Sequence, residues 1–184
     1  MSSSGGLVAR FGSSRSWPRG DRILKVAHAG EVGAVAIYRA QIFAAYLRAP
    51  RLLPQLREFA DHERRHRAIF AEALALRHGH PCTSRWLCAA GGFALGLVTG
   101  LIGERAIAIT TVAVERTVLG HLEAWQAELV STDIAAWAAL DEIVQEERDH
   151  HAAFMPMSPA DEASLLAKVV TLGIQGVIAI GFAV

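Results

Sequence analysis

Apolar residues recur every three or four positions along most of the chain, and no stretch alternates with the period of two that a half-buried strand needs. That period predicts an all-α protein of six helices. The first runs from about Asp21 to Leu47 and stops before Pro50. The second runs from about Pro54 to His78 and ends at Gly79-His80-Pro81. The third covers residues 84–103, the fourth 104–130 and the fifth 133–154. Ser158-Pro159 opens the sixth, with Ser158 as cap and Pro159 at the first helical position.

Four of these apolar stripes carry charge where a core should be. The second helix reads Leu56, Phe59, Glu63, His66, Phe70, Leu74, and the fifth reads Leu140, Ile143, Glu147, His150, Phe154. Residues three apart on a helix lie about 60° apart, so each Glu-x-x-His pair shares the inward face. The chain has twelve glutamates yet spells Glu-x-x-His only at these two places. Glu31 sits on the stripe Leu24, Ala27, Val35, Tyr38, Ile42, and Glu115 on Thr111, Val118, Leu122, Trp125, Leu129. Glu31, Glu63 and His66 recur 84 residues later as Glu115, Glu147 and His150. The chain therefore reads as two copies of one helix pair.

Burying four carboxylates and two imidazoles uncompensated would cost several kcal/mol per charge. A pair of divalent cations supplies the compensation. One Glu from each of two helices, with Glu-x-x-His from each of the other two, matches ferritin-like carboxylate-bridged di-metal bundles. The candidate metal ligands are Glu31, Glu63, His66, Glu115, Glu147 and His150. Hard carboxylates with two imidazoles suit iron, then manganese, better than structural zinc. The segment His78, His80, Cys82, Cys88 fits no zinc spacing and reads as a loop. His28 and His62 are expected near the site, either as hydrogen-bonding neighbours of ligands or in solvent. His121 and His151 are not expected to ligate.

Two further segments change the picture. Residues 86–103 carry no charge over 18 positions, and 169–184 none over 16. Gly92, Gly96 and Gly100 line one face of the first and allow close helix contact. These segments read either as buried core helices or, favoured here, as faces that enter a membrane without crossing it. Lys+Arg and Asp+Glu are both 18, a balance that argues against a nucleic-acid partner. The two cysteines suggest no disulfide framework. Residues 1–20 are rich in Ser and Gly and read as a disordered tail with a faint likeness to a transit peptide, leaving 21–184 as the one folded domain.

The stretches at 24–41, 61–66, 92–115 and 146–151 resemble the demethoxyubiquinone hydroxylases of ubiquinone biosynthesis, through HAGE, the two Glu-x-x-His motifs and AVE. The resemblance implies a ferritin-like four-helix bundle with two added apolar helices, bound to one membrane leaflet. It implies two iron ions held by the six residues named above, with Glu63 and Glu147 bridging and Glu31 and Glu115 terminal. It implies monooxygenation of the demethoxyubiquinol ring with O2, using NADH as reductant. Membrane lipid, the isoprenoid quinol, a lipid-binding partner protein and a second copy of the chain are the partners it suggests. The expected place is the cytoplasmic face of a bacterial inner membrane, the alternative the matrix side of the mitochondrial inner membrane. The chain departs from the family at Arg116, where a second acid often follows AVE, and at Leu122, where a Tyr usually follows the His; it also ends on the uncharged Gly-Phe-Ala-Val. The competing readings are a soluble ferritin-like iron-storage or peroxide-reducing protein, and a non-catalytic lipid-binding helical protein.

Overall fold

The computed structural model describes residues 17–157 and 164–184, and among them every regular element is helical. The helices are α1 (Arg19–Arg48), α2 (Leu53–Leu76), α3 (Arg85–Ile102), α4 (Glu104–Leu129), α5 (Ile134–Phe154) and α6 (Leu165–Ala183). A short 3₁₀ turn at Pro50–Leu52 joins α1 to α2, where proline's missing N–H is tolerated at the start of a helix. Helix α1 begins two residues earlier than expected, because Arg19 pairs with Glu128 and Gly20 packs against α5. The proposed tail therefore loses residues 19 and 20 to the helix, while residues 1–16 lie outside the described part. The expected start of the last helix at Ser158-Pro159 also falls outside it. The described α6 begins at Leu165, where the Ser164 side chain accepts the Ala167 N–H as a cap.

Helices α1, α2, α4 and α5 form a bundle, with α3 resting on α1 and α6 chiefly on α4. The internal repeat thus extends beyond the helix pair to a unit of three helices. Two apolar cores fill the bundle. One gathers Leu24, Phe70, Leu74, Leu122, Leu140 and Ile143; the other gathers Tyr38, Leu56, Phe59, Ile107, Val112 and Phe154. The stripe positions 31, 63, 66, 115, 147 and 150 fall between the two sets on all four helices. At one end Arg77 donates to both Asp133 and the buried Asp21, tying α2 to α5 and α1. Asp133 also caps α5 through the Ala136 N–H.

The charge-free helices are not core. Trp86, Phe93, Val98 and Ile102 on α3, and Val169, Leu172 and Ile180 on α6, are exposed, and both helices are long and apolar enough to cross a membrane by length and composition. What α3 buries is its glycine face. A Cβ on Gly92 would stand 2.4 Å from the Gly33 carbonyl oxygen, and one on Gly96 2.2 Å from that of Ile37. Both obstacles are backbone, so they cannot rotate away. Gly103, with φ of 124°, makes the one-residue turn from α3 into α4, a conformation that penalises any side chain.

Gly96→Ala should consequently lower stability by about 1–3 kcal/mol through overpacking. Gly91→Ala, on the open side of the same helix, should not lower it. Denaturant unfolding of the full chain in detergent micelles checks the pair.

Candidate metal centre

All six candidate ligands are buried, each at 3% exposure or less, in a layer between the apolar cores. Each arrives on the stripe of its own helix: Glu31 from α1, Glu63 and His66 from α2, Glu115 from α4, Glu147 and His150 from α5. Their ligand atoms form two overlapping groups. Glu31, Glu63, His66 and Glu147 make one, and Glu63, Glu115, Glu147 and His150 the other, with the ligand atoms of each group within 4.8 Å of one another. Glu63 and Glu147 belong to both. This is the topology of two cation positions sharing two carboxylates.

The donor atoms themselves test the fit. Glu63 Oε1, Glu147 Oε2, His66 Nδ1 and His150 Nδ1 are fully buried without an aligned hydrogen bond. His66 Nδ1 lies 2.9 Å from Glu147 Oε1 and His150 Nδ1 3.3 Å from Glu63 Oε1, near but not aligned. Buried polar atoms are seldom orphaned, and four of the nine such atoms among the described residues converge on this one place. A pair of cations fits this donor set, with carboxylates and imidazole nitrogens as the coordinating atoms.

Electrostatics lead to the same place. Burial raises the Glu31 carboxyl well above its ordinary range, and the neighbouring Glu63 and Glu147 add to the effect. Glu115 is raised by burial and then by Glu147 and Glu63. Burial acts on Glu63 in the same sense, but His150 and His66 beside it outweigh that and hold its carboxyl well below the usual range. Burial disfavours charge on His66, yet Glu147 and Glu63 prevail and push it up to about 11. Burial and the neighbouring carboxylates thus favour positive charge, a proton or a cation, at this place.

The outer nitrogens of the two imidazoles are held as well. His66 Nε2 lies 2.9 Å from Glu146 Oε2, and His150 Nε2 2.9 Å from His62 Nδ1. His62 is therefore a hydrogen-bonding neighbour of the site. His28 is buried on α1 with Nδ1 unpartnered; burial, then Arg67 and Arg85, lowers its pKa. His121 is half-buried beside Trp125, and His151 half-buried at the end of α5. Cys82 and Cys88 are buried free thiols, His80 packs edge-on against Trp17, and neither metal-competent group includes this loop.

Two neighbours escaped the sequence reading as functional groups. Glu146 is not among the sequence candidates, though its place immediately before the motif glutamate, matching that of His62, is a usable signal. Tyr38 looked like core. It is core, but its hydroxyl donates to Glu115 Oε1 at 2.6 Å.

A cavity of about 310 Å³ adjoins the cluster. Glu31, Glu63, Glu115 and Glu147 form its polar end, and its walls continue through Ile37, Leu95, Val114 and Ile174 to Leu87 on α3 and Val169 on α6, both exposed. The arrangement can bind two cations, exclude water from them, and admit an apolar molecule from the side that α3 and α6 face.

A family model described as ubiquinone biosynthesis protein COQ7 matches residues 19–181. The 3-demethoxyubiquinol 3-hydroxylase of Rhodospirillum rubrum is 35% identical over 130 residues, 71% of this chain and 61% of that protein. The mitochondrial NADPH-dependent 3-demethoxyubiquinone 3-hydroxylase of Mus musculus is 33% identical over 135 residues, again 71% and 61%. The mitochondrial 5-demethoxyubiquinone hydroxylase of Saccharomyces cerevisiae is 39% identical over 101 residues, 55% of this chain and 43% of that protein. The chain spans less than two thirds of the length of each of these relatives.

Two outcomes are expected of the centre. Glu147→Ala removes a carboxylate common to both groups and should abolish retention of both metals, whereas Glu123→Ala, exposed and paired with Arg148, should retain them. Metal content per chain after identical purification decides. Because Glu31, Glu115 and His66 all have raised pKa values, ferrous loading near pH 7 should release roughly one to three protons per chain, and affinity should fall as pH falls. Anaerobic loading in an unbuffered cell with a pH-stat measures the release.

Proposed function

The chain belongs to the COQ7 family of ubiquinone biosynthesis proteins, and from that premise we propose that it is a di-iron monooxygenase hydroxylating the ring of demethoxyubiquinol with O2. The observation that carries the reading is the cavity, which joins the buried Glu/His cluster to the exposed faces of two apolar helices. An isoprenoid quinol lives in the bilayer. A site reached through α3 and α6 receives the ring without drawing the tail through water.

Six side chains would hold the irons. Glu31 and His66 serve one position, Glu115 and His150 the other, and Glu63 and Glu147 both. A bound iron pair supplies the electrons and the Lewis acidity that O2 needs to react with a closed-shell ring. Hydroxylation puts one oxygen atom into a ring C–H bond and the other into water, consuming two electrons and two protons. We take the reductant to be a reduced nicotinamide, NADH by the resemblance, while the mouse relative's name specifies NADPH.

The chain's own residues do the rest. The apolar walls exclude water from the reacting ring and leave the carboxylate end as the polar surface it meets. Glycine makes the room: Gly30, Gly91 and Gly173 line the cavity, and no neighbouring heavy atom lies within 4 Å of where their Cβ atoms would be. Tyr38, which burial and then Glu115 hold as a neutral phenol, keeps its proton on the Glu115 hydrogen bond and fixes that carboxylate's orientation.

The same reading puts the protein on the cytoplasmic face of a bacterial inner membrane or, as the alternative, on the mitochondrial matrix side. Its partners are bilayer lipid, a lipid-binding protein of the pathway and a second copy of the chain. An iron-storage or peroxide-reducing role would call for a soluble bundle, and the exposed apolar faces of α3 and α6 disfavour it.

The test is turnover of the iron-loaded full chain in lipid vesicles containing a demethoxyubiquinol. One labelled oxygen from ¹⁸O₂ should enter the ring. Gly91→Leu and Gly173→Leu should cut turnover at least about tenfold with iron content unchanged, since each fills part of the cavity. Label drawn from water, or no ring product from a fully iron-loaded chain, would reject the hydroxylase assignment.

A further inference from the structure

The 84-residue repeat makes the two metal positions alike in their first neighbours but not in what holds those neighbours. Residue 62 corresponds to 146, and each reaches across to the histidine of the other motif. Glu146 accepts from His66 Nε2, while His62 faces His150 Nε2. One histidine is thus backed by a carboxylate and the other by an imidazole. Residue 38 corresponds to 122 in the same way. Tyr38 donates to Glu115, whereas Leu122, at the matched position on α4, has no hydroxyl to offer Glu31.

Both differences act in one direction. For Nδ1 to face a metal, Nε2 must carry the hydrogen. His66 then donates that hydrogen to an anion, which increases electron density on its Nδ1 and strengthens it as a ligand. Arg65 shares the same carboxylate, fixing its position while drawing off part of its charge. His150 faces the Nδ1 of His62, and an imidazole nitrogen is a weaker acceptor than a carboxylate oxygen; Glu146 Oε2 lies 3.8 Å from that same Nδ1, so the carboxylate reaches His150 only through the ring. On the carboxylate side, the Tyr38 proton draws charge from a Glu115 oxygen and makes it the poorer ligand.

From this, and resting on the di-iron reading above, we infer that the two positions are unequal by construction: the Glu31/His66 position takes up iron before the Glu115/His150 position. Glu146, His62 and Tyr38 are the positioning residues that set the order. Iron enters and is held in sequence rather than as an interchangeable pair.

Sub-stoichiometric labelling reads this directly. The metal-depleted full chain in detergent receives one equivalent of ⁵⁷Fe(II) without oxygen, then one of ⁵⁶Fe(II), and the order is reversed in a second sample. Mössbauer spectra see only the labelled ion. The expected result is one dominant doublet per sample, different between the two orders, for a preference of about tenfold. Glu146→Gln should spread the first label over both doublets by weakening the first position. Tyr38→Phe should do so by strengthening the second, and it preserves the core should Glu146→Gln disturb folding. Two doublets of equal area in either order, one doublet common to both orders, or a preference unmoved by either variant would overturn the inference. Fewer than two irons bound per chain would instead sink the di-iron reading on which it stands.

Discussion

A layer of four carboxylates and two imidazoles, sealed between two apolar cores, is the constraint on which the molecule turns. Each buried charge costs several kcal/mol unless it is compensated. Burial raises the Glu31 and Glu115 carboxyls, and Glu147 and Glu63 raise His66 against its own burial, so the layer favours added positive charge. The Arg77, Asp21 and Asp133 network at one end holds α1, α2 and α5 together, and the glycine contacts along one side hold α3 to α1. The site is therefore held by features distant from it.

How much of this could be read from sequence depends on how local each signal is. Helix periodicity is local, so the stripes carrying Glu31, Glu63, His66, Glu115, Glu147 and His150 were legible, and all four stripes are turned inward in the fold. Partnerships across helices are not local. Nothing in the neighbourhood of Tyr38 tells that its hydroxyl meets an oxygen of residue 115, and nothing near Glu146 tells that it meets His66. Residues 62–66 even spell His-Glu-x-x-His, a zinc-protease pattern in which both histidines face one metal. Here His62 faces instead the outer nitrogen of His150, across the bundle. The part-buried salt-bridge network at Arg77 is equally invisible, because its members lie on α1, at the end of α2 and at the start of α5.

Exposure favours one of the two readings of the apolar helices that composition leaves open. A core helix of eighteen uncharged residues would be buried on most sides. Helix α3 buries its glycines and presents Phe93, Val98 and Ile102 outward. A small-residue face against protein with a large apolar face outward is what packing in a lipid environment favours, since lipid gives no penalty for exposed Phe and Val. The cavity ends on these same helices, so under the proposed function access to the site and contact with lipid would be one feature.

Departure from the repeat then explains why there is a cavity at all. On the first copy, Gly33, Ile37 and Gln41 of α1 meet Gly92, Gly96 and Gly100 of α3, and backbone touches backbone. Their counterparts 84 residues on are Thr117, His121 and Trp125 of α4, and Gly176 and Ile180 of α6 with Val184 just past its end. Thr stands for Gly33 and Trp for Gln41 on one side, Ile for Gly96 and Val for Gly100 on the other, and Gly176 has no neighbouring heavy atom within 4 Å of where its Cβ would be. The second copy cannot close as tightly as the first. The space so left is bounded by His121, Trp125, Gly173 and Ile178, and it leads to the carboxylates. Repetition gives the centre its matched ligands, and the failure of repetition in the third helix opens the way to them.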